Sequence, residues 1–277
     1  MSDYQYLKVE RQEDIVVLKL YDPPTLNAWN LTMGLELVQE LTALEEDDGA
    51  RVIVLTGEDP GFCSGANVKE MAERGGIGNI GAMAYRQERR FQVAVRPPLN
   101  AVQRVVCLLR EHPKPVIGAI NGAAAGAGLG LALACDIRIA SERAKFGHVF
   151  VRRGLVPEDG SAFLLPQVVG LSNALELALT GDVIDAQRAE RIGLVSRVVP
   201  HEQLLPEALA LARRIADYAA PIAAALMKRV MIQSAESTFA ESVLMSQRAF
   251  NIARQTEDHV EAVRAFVEKR KPRFSGR

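Results

Sequence analysis

The sequence lacks most of what would mark a specialised chain. Three cysteines, Cys63, Cys107 and Cys135, stand far apart among 277 residues. An odd number at wide spacing builds neither a disulfide framework nor a zinc site, and a reducing cytosol is the expected location. Net charge is −1, from 33 basic and 34 acidic residues. No global basic excess draws the chain to nucleic acid or an anionic membrane, so an anionic ligand would have to be held by local groups. No apolar run reaches the ~20 residues of a membrane span. The longest, residues 116–135, is broken by Asn121 and five glycines. The first ten residues are polar and carry no signal core.

What remains is the composition of a folded protein, 48% hydrophobic and 24% charged. The length suits one large α/β domain, alone or with an appendage. Short β-branched runs at 15–20, 52–56, 116–120 and 137–140 read as strands, with a weaker one at 196–199. They lack strict alternation, which predicts burial on both faces. Residues 31–46 and 84–111 have helical spacing, and the alternation of the two textures argues for an α/β fold. From 201 onward only helical patterns appear, at 203–218, 221–234, 238–255 and 257–269. The expectation is a core over 1–200 and a helical C-terminal subdomain over 201–277. Its apolar faces need the core, or another subunit, to cover them. Four glycines within 74–81 read as a loop.

Two stretches carry chemistry. In 51–71, RVIVLTGEDPGFCSGANVKEM, a strand runs into Ser64-Gly65-Ala66-Asn67 and then a helical pattern. In 116–140, VIGAINGAAAGAGLGLALACDIRIA, a buried strand leads through Asn121-Gly122 to Gly126, Gly128 and Gly130. Small residues allow close backbone approach, and free N–H groups at a helix start attract negative charge. Two such turns can aim one N–H each at a single oxygen, the requirement of an oxyanion hole. Structural packing of the glycines is the competing reading. A dinucleotide site is disfavoured, because Gly130 comes one residue early for G-x-G-x-x-G. Cys63 has no evident basic partner and reads as a small, semi-buried residue.

These stretches, with Leu26-Asn27-Ala28, AKFG at 144–147, LTG at 179–181, GLVSRVVP at 193–200 and EKRKPRF at 268–274, resemble the crotonase (enoyl-CoA hydratase/isomerase) superfamily along nearly the whole chain. The resemblance implies a spiral of ββα units, a C-terminal helical region that builds homotrimers or dimers of trimers, and an acyl-CoA thioester as substrate, with no cofactor. It places the oxyanion donors at the backbone N–H groups of Ala66 and Ala127, although the second position is commonly Gly. The common GAD is here Gly65-Ala66-Asn67. Acyl-CoA contacts are expected from Leu26, Ala28, Ser64, Gly65, Asn67 and Val68, and from Gly126 and Phe150. Lys228 and Lys269 resemble basic contacts to CoA phosphates, and Phe266 an aromatic that lies over CoA from a neighbouring subunit.

The family's hydratases use two glutamates, and this chain has Gly130 and Phe150 at those positions. Glu158, in GLVPEDGS, instead resembles the loop of Δ3,Δ2-enoyl-CoA isomerases that carries a catalytic Glu. Asp159 is the second candidate, with a helix cap as its bland role. His148 reads as structural more than catalytic, and Arg152 and Arg153 as a charged patch near a loop. The leading expectation is double-bond isomerisation with Glu158 as base. The alternatives are hydration of an unusual acyl group, or acyl-CoA binding without catalysis.

Overall fold

The computed structural model describes residues 4–67 and 99–277. The chain opens with a hairpin, β1 (Leu7–Gln12) and β2 (Ile15–Leu20), paired antiparallel from Leu7 opposite Leu20 to Gln12 opposite Ile15. Helix α1 (Leu31–Glu46) starts at an Asn30 cap whose side chain accepts from Met33 N. It carries the chain to β3 (Val52–Gly57), parallel to β2. Helix α2 (Ala101–Glu111) begins with a capping box made by Asn100 and Gln103. Strand β4 (Val116–Ile120) adds to β3, and β6 (Ile137–Ser141) and β9 (Arg197–Val199) follow in parallel. The six-stranded order is β1-β2-β3-β4-β6-β9.

A second, three-stranded sheet is built from β5 (Ala123–Ala125), β7 (Lys145–Gly147) and β8 (Val183–Asp185), in the order β5-β7-β8. The sequence reading has none of these three strands. Alanine has little β-propensity, and β5 exists because tertiary neighbours pair with it on both edges. Cys63 N donates to Ala123 O (2.8 Å) and Ala125 N to Cys63 O (3.1 Å), while β7 lies along the other edge. Along the chain α3 (Ala127–Ala134) follows β5, α4 (Ser161–Val169) and α5 (Leu171–Thr180) lie between β7 and β8, and α6 (Ala186–Arg191) follows β8.

The large sheet is buried on both faces, as its unbroken apolar strands require. Val16, Leu18, Ile53, Leu55, Val116 and Ile120 face one core with Leu37, Leu41 and Leu109 from α1 and α2. Ile15, Val17, Val52, Val54, Ile117 and Ile139 face the other, covered by α7 (Leu204–Tyr218) through Leu204, Ala208, Ala212 and Ala216. Alanines four apart lie on one helix face and let α7 sit close to the strands.

Helices α8 (Pro221–Ser234), α9 (Phe239–Ala253) and α10 (Glu257–Val267) follow. They leave Met227, Met231, Phe239, Phe250, Val260 and Phe266 exposed, with Phe239 at 86% and Phe266 at 85%. That is far more apolar surface than scattered exposure produces. Of the expected helix 84–111, the part before residue 99 lies outside the described residues, as do the loop at 74–81 and Val68. Among the described residues no helix is long and apolar enough to cross a membrane.

Candidate active site

The site is assembled from three connections that leave the large sheet at one end. The first follows β2. Leu26 and Asn27 both take left-handed backbone (φ 57° and 55°), which Asn tolerates better than most residues. The Asn27 side chain is fully buried and saturated. It donates to Glu58 O (2.7 Å) and Gly61 O (2.6 Å) and accepts from Asp22 N (2.7 Å). It thereby ties the loop after β2 to the loop after β3. Ser64 continues the join, its N–H donating to Leu26 O and its hydroxyl to Thr25 O, and Trp29 N donates to Gly65 O (2.8 Å).

The second and third connections are the two glycine turns, and they touch. A Cβ on Gly65, itself at φ +86°, would lie 2.6 Å from Ala125 O and 3.7 Å from Ala127 N. A Cβ on Gly128 would overlap the Cys63 carbonyl, 2.8 Å from its carbon. Only glycine allows these backbones so close. The result brings Ala66 and Ala127 to neighbouring places on two crossing chains. Ala127 opens α3 behind Gly126, which offers no side-chain cap, so its N–H is one of the helix's unsatisfied first donors. Neither the Ala66 nor the Ala127 amide donates to a backbone acceptor among the described residues. Ala66 is exposed and Ala127 half-buried. Two free amides beside an accessible surface can share one oxyanion, and the positive end of α3 favours the same charge.

The carboxylates divide by side. Glu158 is exposed. Asn100 Nδ2 donates to its Oε2 (3.1 Å), and Gln103 Nε2 donates to its main-chain oxygen (2.9 Å). Each member of the α2 capping box thus spends one amide atom on the helix and the other on Glu158. Asp159 points the opposite way and is 1% exposed. Its Oδ1 accepts from Ser161 N (3.1 Å) and Ser161 Oγ (2.6 Å), while its Oδ2 is buried without a partner. Burial raises its pKa, against the pull of the Ser161 hydrogen bonds. His148 is 3% exposed, with Nε2 3.0 Å from Ser161 Oγ. Burial lowers its pKa. The Asp159 carboxylate sits against the bare Cα of Gly130, where a Cβ would lie 2.7 Å from Asp159 Cγ. Phe150 is half-buried beside the second turn, 3.9 Å from where a Gly126 Cβ would be, and its ring packs on His148 with centroids 5.1 Å apart.

The other expected contacts fare differently. Leu26 is 39% exposed, Ala28 is 5% exposed, and Ser64 and Asn67 are half-buried at the turn. Lys269 and Phe266 are exposed at the end of α10. Lys228 requires a correction. Its ammonium bonds Asp136 Oδ2 (2.9 Å), Leu109 O (3.1 Å) and Lys114 O (3.4 Å). Three acceptors take up the three N–H groups, so Lys228 holds the fold together and has no donor for a phosphate. Burial pushes the Cys63 thiol up to about 12, which removes it as a nucleophile. Arg152 pairs with Asp182 and donates to Thr180 O.

Asn100 and Gln103 were missed as site residues. Their signal was present as N-x-x-Q ahead of an apolar helix, but it announces a helix start and not what the spare amide groups hold.

Residues 10–277 match the family model described as enoyl-CoA hydratase/isomerase. The chain is 36% identical over 274 residues, 99% of each chain, to a Mycobacterium tuberculosis protein named probable enoyl-CoA hydratase echA8. It is 36% identical over 269 residues to the 1,2-epoxyphenylacetyl-CoA isomerase of Escherichia coli, covering 96% of this chain and 97% of that one. The fold matches a crystal structure of enoyl-CoA hydratase from Bacillus anthracis with a TM-score of 0.87 at 32% identity, over 99% of this chain and all of that one. Two crossed glycine turns, a mixed sheet with a helical C-terminal region and full-length similarity agree: this chain belongs to the enoyl-CoA hydratase/isomerase family.

Proposed function

We propose that the protein moves the double bond of a 3-enoyl-CoA to the 2-position, with Glu158 as the single acid and base. The observation that supports this reading is that two turn amides have no backbone acceptor among the described residues, and that the loop packed against the helix of one of them, through Asp159 and Gly130, exposes Glu158. Ala66 and Ala127 would hold the thioester oxygen as the α-proton leaves, and losing one such donor costs ~3 kcal/mol. Of the two adjacent loop carboxylates, Glu158 is the one that a ligand can touch, while Asp159 is sealed against α3; positions 130 and 150 carry none. One carboxylate suffices for isomerisation. It takes the proton from C2, the dienolate forms, and the same group returns the proton to C4 on the same face. No bound water enters the step. The half-buried Phe150 beside the donors suits an unsaturated, apolar acyl group.

Hydration is the second reading, favoured by the hydratase name of the Mycobacterium tuberculosis relative. Absorbance of the conjugated thioester separates the two. Rising absorbance with a 3-enoyl-CoA supports isomerisation, and falling absorbance with a 2-enoyl-CoA supports hydration. No change with either, combined with thermal stabilisation by CoA esters, supports a binder without turnover. Full turnover in Glu158→Gln removes the assigned base. The apolar side chains of α8–α10 support assembly into homotrimers or dimers of trimers, which would bring Phe266 and Lys269 to a neighbour's CoA site.

A further inference from the structure

Adjacent residues of the loop before α4 are gripped from opposite sides. The α2 capping box holds Glu158 from without, through Asn100 Nδ2 and Gln103 Nε2. From within, Asp159 enters a space that exists only because residue 130 has no Cβ. Gly130 lies on the first turn of α3, three residues after the Ala127 amide. The Asp159 side chain is therefore a peg between the helix that offers an oxyanion donor and the loop that carries the carboxylate.

The peg is braced. Ser161, fully buried, gives its hydroxyl proton to Asp159 Oδ1 at 2.6 Å, and its own N–H reaches the same oxygen. With that proton committed, Ser161 Oγ accepts from His148 Nε2 at 3.0 Å, which fixes the Nε2–H tautomer. Asp159, Ser161 and His148 form one buried line that begins at Gly130 and ends beside Phe150. A bare anionic oxygen at the Gly130 end would be costly, since Asp159 Oδ2 has no donor there. Burial moves the carboxyl toward its neutral form. The planar carboxyl fills the space that Gly130 leaves open.

We propose that Asp159, seated in the space Gly130 leaves open and braced by Ser161 and His148, is the positioning residue that fixes Glu158 relative to the Ala127 amide. The proposal deepens the isomerase reading, and its kinetic part rests on that reading. Its structural part does not, because the place of Glu158 can be measured without turnover.

Two crystal structures and five kinetic variants test it. In Gly130→Ala the new methyl displaces Asp159, and the Asn100–Glu158 contact of 3.1 Å opens beyond hydrogen-bond range. In Asp159→Ala the same contact loosens. Against a 3-enoyl-CoA, both variants lose about 10- to 100-fold in kcat, the scale of a small misplacement of a reacting group, with KM within about twofold. Asp159→Asn, which keeps the shape and the acceptor for Ser161, recovers most of the turnover that Asp159→Ala loses. The double variant Gly130→Ala/Asp159→Ala is no slower than the slower single one, because both act on one space. Should Gly130→Ala not fold, Asp159→Ala and Asp159→Asn carry the decision. Full kcat in Asp159→Ala with Glu158 unmoved overturns the proposal, as do multiplying effects in the double variant. Loss in Asp159→Ala with full turnover in Glu158→Gln and Glu158 unmoved in both crystals also overturns it and makes Asp159 the base itself. Full turnover in Glu158→Gln with Glu158 displaced in both crystals sinks the isomerase base alone and leaves the peg standing.

Discussion

Replacing Ala127 by its α-hydroxy analogue, lactic acid, exchanges one amide N–H for an ester oxygen and changes almost nothing else. The N–H in question is the first of α3 and has no acceptor among the described residues, so its removal breaks no hydrogen bond of the fold. The ester does weaken the preceding carbonyl. Gly126 O accepts from Leu129 N (2.9 Å) and Gly130 N (3.1 Å), and weakening these costs on the order of 1 kcal/mol in stability. If the Ala127 amide holds the enolate oxygen, turnover falls by ~10²–10³, equivalent to ~3 kcal/mol in the transition state. The loss appears in kcat and equally in kcat/KM, because the enolate charge develops only in the transition state. The assay is the rise of conjugated-thioester absorbance from a 3-enoyl-CoA, with a thermal melt run alongside to separate stability from rate. A loss of less than about tenfold, with the melt within a few degrees of the parent, would refute the two-amide site.

Asn100→Ala frees the Glu158 carboxylate and removes a helix cap; kcat should fall while a urea melt loses about 1 kcal/mol, and unchanged kcat would show that the bond to Glu158 is idle. Gly65→Ala places a methyl against Ala125 O in left-handed backbone; a stability loss of about 2–3 kcal/mol with turnover near zero is expected, and a variant of wild-type rate contradicts the crossed-turn geometry. Lys228→Met strands Asp136 and should cost about 3 kcal/mol by denaturant titration, with KM for the CoA ester unchanged; a large rise in KM would restore Lys228 as a phosphate contact. His112 is fully buried, accepts from Lys114 N and lies 3.1 Å from Leu41 O through Nε2. Burial depresses its pKa to about 4, so the unfolded chain binds the proton first as pH falls. Stability is full above pH 6.5 and declines toward pH 4 by ~3 kcal/mol from this group, and His112→Gln should flatten that part of the curve in pH-dependent melts.

How much of this was legible beforehand varies by element. The buried strands of the large sheet were readable, because unbroken β-branched runs suit a sheet covered on both faces. The helices after 201 were readable from their periodicity. Ala66 and Ala127 were reachable only through the resemblance of the two glycine turns to a family. Glycine spacing alone does not tell a packing contact from an anion site, and here Gly65 and Gly128 serve the packing that creates the site. Strands β5, β7 and β8 were invisible, since three residues hold a strand only when neighbours supply the ladder.

Local pattern thus determined the buried strands of the large sheet and the helices after 201, and motif likeness determined the family, because both are written in residues close together in the chain. Which carboxylate faces a ligand was a tertiary matter. Glu158 and Asp159 are neighbours with the same charge, and nothing in their order says that one is held at the surface by Asn100 while the other fills the gap beside Gly130. The fate of Lys228 was decided the same way, by an aspartate 92 positions away. Contacts between distant segments fix burial and hydrogen-bond supply, and those two quantities settle whether a charged side chain serves the chemistry or the fold.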